Sequence, residues 1–238
     1  MRRSVALAAV LVMLSLTACS SGNRNKSSSS GNAASSVPAT GAQSGGTPAP
    51  LAGNAAIESR LQNAALTDAD VAPLTVNAKR PWNNHDFAMM QADPAAYEKM
   101  LNDVGRLSGA LLQFLAPTAP TPGTAAPLGV LEILSTWKTE NDAKAGLPEM
   151  LKTINTFSAQ PNTATTKTDP ADLGKIGDDV TASHITLTPA GGGQQSDVYI
   201  VGLRRGRDTA LMVFTGTGGA PQLDEVKRLV QLQNSRLG

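Results

Sequence analysis

A single cysteine in 238 residues, Cys19, excludes an intrachain disulfide and any dithiol redox pair. Two histidines, His85 and His184, leave zinc short of the three or four clustered ligands that it wants. Aromatic residues make up only 3%, so a core has to come from Leu, Val, Ile, Met and Ala. Charge of one sign is also missing: 20 basic residues stand against 19 acidic ones. Arg2 and Arg3 fall in an N-terminal leader, and without them the count is 18 against 19. Nucleic acid, which calls for a concentrated basic face, is therefore not an expected partner. No Gly-x-Ser-x-Gly elbow occurs beyond the leader and tether. Gly191-Gly192-Gly193 and Gly216-Thr217-Gly218-Gly219 lack both the Walker lysine and the dinucleotide spacing, and read as turns. No catalytic residue, metal or cofactor is expected.

What the sequence does contain is clearest at its start. Arg2-Arg3 precede an apolar stretch from Val5 to Leu14. From Ser4 to Ala18 the segment is about 15 residues, short of the ~20 needed to span a bilayer, so it reads as the hydrophobic part of a signal peptide. The segment closes on Leu16-Thr17-Ala18-Cys19, which resembles the lipobox of bacterial lipoproteins. The resemblance implies cleavage between Ala18 and Cys19 and a diacylglyceryl thioether on Cys19, with palmitate-like chains. The expected membrane partner is reached through that lipid, since two acyl chains give a lasting anchor where one holds marginally.

Composition then divides the chain in three: signal peptide 1–18, lipid-anchored cysteine and tether 19–54, and one globular domain 55–238. The tether is Ser, Gly, Ala, Asn, Pro and Thr, with Arg24 and Lys26 its only charges before Gly53. It has too little apolar surface to offset ordering entropy, and as a coil would average roughly 30 Å end to end.

Within the domain, Ile57, Leu61 and Ala64 predict a helix over 56–66, and Thr67 to Asp70 a turn in which Asp70 reaches back to Thr67. The stretch 71–92 shows no period and reads as a long loop with one strand at most. Asp93 and Pro94 open the best-marked helix, whose stripe Tyr97, Leu101, Val104, Leu107, Leu111 and Phe114 carries it to about Ala116. A Pro-rich loop, 117–127, leads to a strand over 128–137. Thr139 caps a helix to about Ser158, with a kink or late start expected from Gly146 and Pro148. Strands follow over 180–188, 197–204 and 208–215, the last two joined through Arg205-Gly206-Arg207, and Pro221 opens a final helix. The fold class is α+β: a mainly antiparallel sheet of about four to five strands packed by about four helices.

Three features in order resemble extracytoplasmic sensor-like domains of mycobacterial lipoproteins and receptor kinases, and PsbP-like sandwiches. They are the helix containing Gly105-Arg106-Leu107 with a strand ending at Trp137, Ile176-Gly177-Asp178-Asp179 leading into a strand, and the Val201-Gly202-Leu203-Arg204-Arg205-Gly206 hairpin. The resemblance implies a fold and an extracytoplasmic location and carries no catalytic motif.

Candidate binding residues are few. Trp82 and His85 lie in irregular chain, where binding residues often sit. Arg204, Arg205 and Arg207 cluster at a hairpin tip that could dock an acidic group. His184 reads as a sheet-face residue. The acidic pairs Asp68/Asp70 and Asp178/Asp179 lack the full calcium-loop pattern and read as turn and cap residues. The expected function is a membrane-anchored, non-catalytic domain that binds a small ligand or an envelope protein. The alternatives are an envelope hydrolase using carboxylates such as Asp178, and a lipid carrier with a hydrophobic groove.

Overall fold

The computed structural model describes residues 52–116, 127–157, 163–189, 195–217 and 221–238. The expected signal peptide, Cys19 and most of the tether lie outside the described residues, as do residues 117–126 and Gly191 to Gly193. The elements run α1 (Ala52–Ala64), β1 (Thr75–Pro81), α2 (Asn84–Ala88), α3 (Pro94–Asp103), β2 (Arg106–Leu115), β3 (Pro127–Trp137), α4 (Glu140–Phe157), β4 (Thr163–Pro170), β5 (Asp179–Pro189), β6 (Ser196–Arg205), β7 (Asp208–Thr217) and α5 (Leu223–Arg236). The α+β class stands, but the described strands number seven where four to five were expected, and the helices five.

All seven strands form one antiparallel sheet in the order β1-β2-β3-β7-β6-β5-β4. Helices cover both faces. One core joins α1 and α5 to the sheet through Leu61, Leu66, Leu112, Phe114, Leu134, Met212, Phe214, Val226 and Val230. The other joins α2, α3 and α4 to it through Phe87, Leu101, Leu111, Ile133, Trp137, Met150, Ile200 and Leu211. Burial on both faces is why β6 reads as an unbroken apolar run from Val198 to Val201.

The largest departure from the sequence reading is the helix expected over 94–116. Asp93 does cap it, accepting from the Ala96 backbone N–H at 3.1 Å, and Pro94 stands in its first turn. The helix nevertheless stops at Asp103, and Arg106 to Leu115 is a strand. Gly105 sits at φ +85°, a left-handed stop just beyond the helix end, and a Cβ there would also lie 2.8 Å from the Asp142 carboxylate. Beyond it, Ala110, Leu111, Leu112 and Phe114 are buried on alternate faces. A strand covered on both sides mimics a helical stripe because apolar residues are dense at every spacing.

Two smaller corrections follow. β4 was not expected, although Thr163-Ala164-Thr165-Thr166-Lys167-Thr168 is rich in β-branched residues. The stretch 71–92 holds β1 and also a short helix, α2, opened by a capping box between Asn83 and Asp86.

The third expected helix runs unbroken from Glu140 to Phe157, with Gly146 and Pro148 inside it, so its start is not delayed. Its start is as expected: Thr139 Oγ1 accepts from the Asp142 N–H at 3.1 Å, and Asp142 accepts from the Thr139 N–H at 3.0 Å. Gly146 is a packing residue here, since a Cβ would fall 2.0 Å from the buried Trp137 ring. The β6–β7 turn is as read, with Gly206 at φ +58°.

Candidate functional site

A β-bulge sets up the most unusual side chain in the domain. The β2–β3 register pairs Ser108 with Thr136 but Arg106 with Trp137, so the register slips by one at Leu107. Without the slip, Arg106 would share a face with Ser108, which bonds Glu58 of α1. With it, Arg106 turns to the opposite face, beneath α2. There it is 2% exposed. Its Nε donates to Ser135 Oγ at 2.9 Å, one Nη to Asn84 Oδ1 at 2.6 Å, and the other to the Trp82 carbonyl at 2.9 Å. The Phe87 ring lies 5.5 Å from the guanidinium carbon. All three acceptors are neutral. Burial lowers the Arg106 pKa to about 10, opposed by the more distant charges of Tyr97, Asp86 and Glu58.

Arg106 fixes the path of the chain leaving β1. The Trp82 N–H donates to the Gly109 carbonyl, its own carbonyl receives Arg106, and Asn84 Nδ2 donates to Asn102 Oδ1 and to the Arg106 carbonyl. Gly109 has no room for a side chain: a Cβ would lie 2.2 Å from Arg106 Nη2 and 2.3 Å from the Leu134 carbonyl. Trp82 is 3% exposed, and the Arg80 guanidinium lies over its ring at 4.5 Å. The indole N–H of Trp82, Nε of Arg80 and the Gln91 amide nitrogen are buried without an acceptor.

The other face hides the opposite charge. Glu132 occupies the middle of β3 between Leu112 and Met212 and is wholly buried. The Leu66 N–H, just past α1, donates to its Oε2 at 3.1 Å, while Oε1 has no partner. Burial raises its pKa to about 8, with Leu66, Arg236 and Lys79 pulling the other way. The same layer carries paired charges at its margins. Arg60 of α1 meets Asp208 at 2.7 and 2.8 Å and Thr136 at 2.7 Å, and Asp208 keeps its guanidinium pKa above the usual value. Arg236 meets Asp70 at 2.8 and 2.9 Å. Burial alone would raise Asp70, but Arg236 and Thr67 together hold it below its ordinary range.

The residues singled out in the sequence do not come together. Trp82 is the buried residue just described. His85 is exposed on α2, with Nδ1 2.9 Å from Glu98 of α3. Arg204 is buried and clasped: its Nε and Nη2 reach Asp179 at 2.7 and 2.6 Å, and its Nη1 reaches Asp178 at 3.4 Å. Asp178 also accepts from the Gly206 N–H at 2.6 Å, so this carboxylate helps tie the hairpin turn to the start of β5. Arg205 donates to the Asn234 carbonyl of α5 at 2.6 Å. Arg207 is exposed, and its carbonyl accepts from the Trp137 N–H. His184 lies on the sheet face, stacked on Tyr199 at 4.7 Å and 3.0 Å from the buried Asp197.

The acidic pair Asp68/Asp70 holds a turn. Asp68 accepts from the Val76 N–H at 2.6 Å and Asp70 from the Thr67 N–H at 2.7 Å. Among the described residues no three His, Cys, Asp or Glu gather to hold a metal ion. Among them, too, no helix is long and apolar enough to cross a membrane.

Sequence reasoning missed Arg106, Glu132 and Arg80. One signal for Glu132 was present, a lone acid inside the run Val130-Leu131-Glu132-Ile133-Leu134. No family model matches the chain, and no curated protein does. Among solved structures it is similar to the extracellular domain of PknH from Mycobacterium tuberculosis, with a TM-score of 0.45 and 13% identity over 77% of this chain and 97% of that one.

Proposed function

We propose that this chain is an extracytoplasmic lipoprotein whose domain binds a small ligand or an envelope protein without catalysing a reaction. The observation that carries the reading is Leu16-Thr17-Ala18-Cys19 at the end of an apolar leader, with the chain's one cysteine at the position that takes the lipid. A tether poor in apolar residues follows, which suits a domain held at a distance from the membrane. The domain's ionised groups support a non-catalytic role. Asp178, Asp179, Asp208 and Asp70 are each engaged by an arginine that joins two elements. His184 and His85 each face a carboxylate, and among the described residues neither is hydrogen-bonded to a serine or cysteine.

The test is expression of the full chain and its Cys19→Ser variant in a bacterial host, followed by fractionation and intact mass. The parent chain is expected in the membrane fraction, cut before Cys19 and heavier by a diacylglyceryl group. The variant is expected to lose both the added mass and that cleavage. A parent chain recovered without lipid, or cut elsewhere, overturns the anchor. Native mass spectrometry of the same protein tests the domain's role, and a retained small molecule is the result expected for ligand binding.

A further inference from the structure

The corner around Trp82 holds more hydrogen-bond donors than its own acceptors use. Arg80 lies over the indole at 4.5 Å, yet its guanidinium makes no hydrogen bond or ion pair among the described residues, and its Nε is buried. The Trp82 indole N–H is buried without an acceptor as well, as is Nε2 of Gln91, next to Met90 in the same hydrophobic cluster. The other tryptophan shows what a satisfied indole looks like in this fold: Trp137, equally buried, donates to Thr209 Oγ1 at 3.0 Å. Behind Trp82 stands Arg106, whose three acceptors are all uncharged.

The unmet groups of Arg80 and Trp82, in contact across the indole face, are both donors, and neither of the two arginines that touch Trp82 has a carboxylate on it. A buried donor left unpaired is costly, and a guanidinium beside an N–H is a matched receiver for two planar oxygens. The surroundings are apolar: Phe87, Met90 and Tyr97 belong to the cluster that holds Trp82. β1 is an edge strand, and Arg80 and Gln91 are only partly buried, so the corner lies at the side of the sheet.

We propose that the Arg80–Trp82 corner is a binding site for a small organic carboxylate. Its oxygens take the N–H groups of Arg80 and Trp82, and its apolar part lies against the neighbouring hydrophobic cluster. A single fully charged phosphate suits the corner less well, because only Arg80 is free to face it and the rest of the lining is apolar. The inference rests on the reading of the domain as ligand-binding and narrows the ligand to a class.

Two tryptophans give two indole N–H resonances, one of them already bonded to Thr209. In the full chain, nitrogen-15 labelled and held in detergent micelles, titration with hexanoate is expected to shift the Trp82 resonance downfield and to saturate, with that of Trp137 unmoved. Arg80→Met is expected to weaken the response about tenfold at unchanged Tm. Should that variant lower Tm, Arg80→Lys keeps the charge, removes the planar fork and is expected to weaken binding severalfold. A Trp82 resonance indifferent to hexanoate overturns the proposal, and indifference is also what a water molecule on these donors would give. An equal response to 1-hexanol, a response to inorganic phosphate alone, or full binding in both Arg80 variants overturns it too. If hexanoate fails while native mass spectrometry shows a different retained molecule, the carboxylate class falls and the ligand-binding reading stands. If nothing is retained either, both fall.

Discussion

Each face of the sheet buries a charged residue that no oppositely charged side chain meets, Arg106 on one and Glu132 on the other, and the two are treated in opposite ways. Under α2, Arg106 finds an acceptor for three of its nitrogens, so its positive charge is solvated by the protein itself. Under α1, Glu132 receives one backbone N–H and keeps one oxygen bare. The pKa directions follow. Arg106 falls only to about 10 and remains charged near neutrality, whereas Glu132 rises to about 8 and is largely protonated there. A buried ion survives where hydrogen bonds replace its water; where they do not, it gives up its charge. The positive group is therefore a structural pin and the acidic one a latent strain.

The contrast between the two charges is largest when each is removed. Arg106→Ala strands Ser135 Oγ, Asn84 Oδ1 and the Trp82 carbonyl and leaves a cavity. A loss of about 3–5 kcal/mol is expected in urea unfolding. Glu132→Gln is expected to do the reverse. From about pH 4.5 to about pH 8 the unfolded chain releases this proton while the folded chain keeps it, so stability falls as pH rises through that window. The glutamine cannot ionise and can still accept from Leu66. It is expected to match the parent near pH 4 and to exceed it by about 2–4 kcal/mol at pH 8, in unfolding series run at both values. Equal gains at both pH values would mean that Glu132 keeps its ordinary pKa when folded.

Gly146→Ala probes the same α2–α4 face without touching a charge. The new methyl collides with the Trp137 ring, and thermal unfolding should report a loss of about 1–3 kcal/mol. The smallest effect belongs to the exposed pair: His85→Ala should move stability by no more than about 0.5 kcal/mol, because a solvated ion pair contributes little.

How much of this was legible beforehand varies with the range of the interaction that decides it. The caps at Asp93 and Thr139 and the glycine of the β6–β7 turn are local, and the residues themselves announce them. The end of α3 at Gly105 was also written locally, but the apolar residues continuing past it outweighed one glycine. From the sequence Gly146 suggests a kink or a late start, because the reason for it, the Trp137 ring, comes from a strand nine residues earlier.

The candidate site was the least legible part. Trp82 stood out as an aromatic residue in irregular chain. What surrounds it could not be read, since Arg106 reaches it through a one-residue slip against β3, and a slip of that kind has no signature in a single strand. Glu132 was visible as an acid in an apolar run, yet only the helix lying over it makes that position costly.

The strand order also bears on how the chain assembles. β1, β2 and β3 pair as sequence neighbours, and so do β4, β5, β6 and β7. The two runs meet along one line, β3 against β7, where Glu132 pairs with Met212 and Thr136 with Asp208. Every other ladder closes a shorter stretch of chain, so the entropy of bringing distant segments together is concentrated on that line. A chain emerging N-terminus first completes β3 long before its partner strand exists. Three strands of the sheet, with both faces apolar and Glu132 on the open strand, have to wait for β7 near the C-terminal end of the domain.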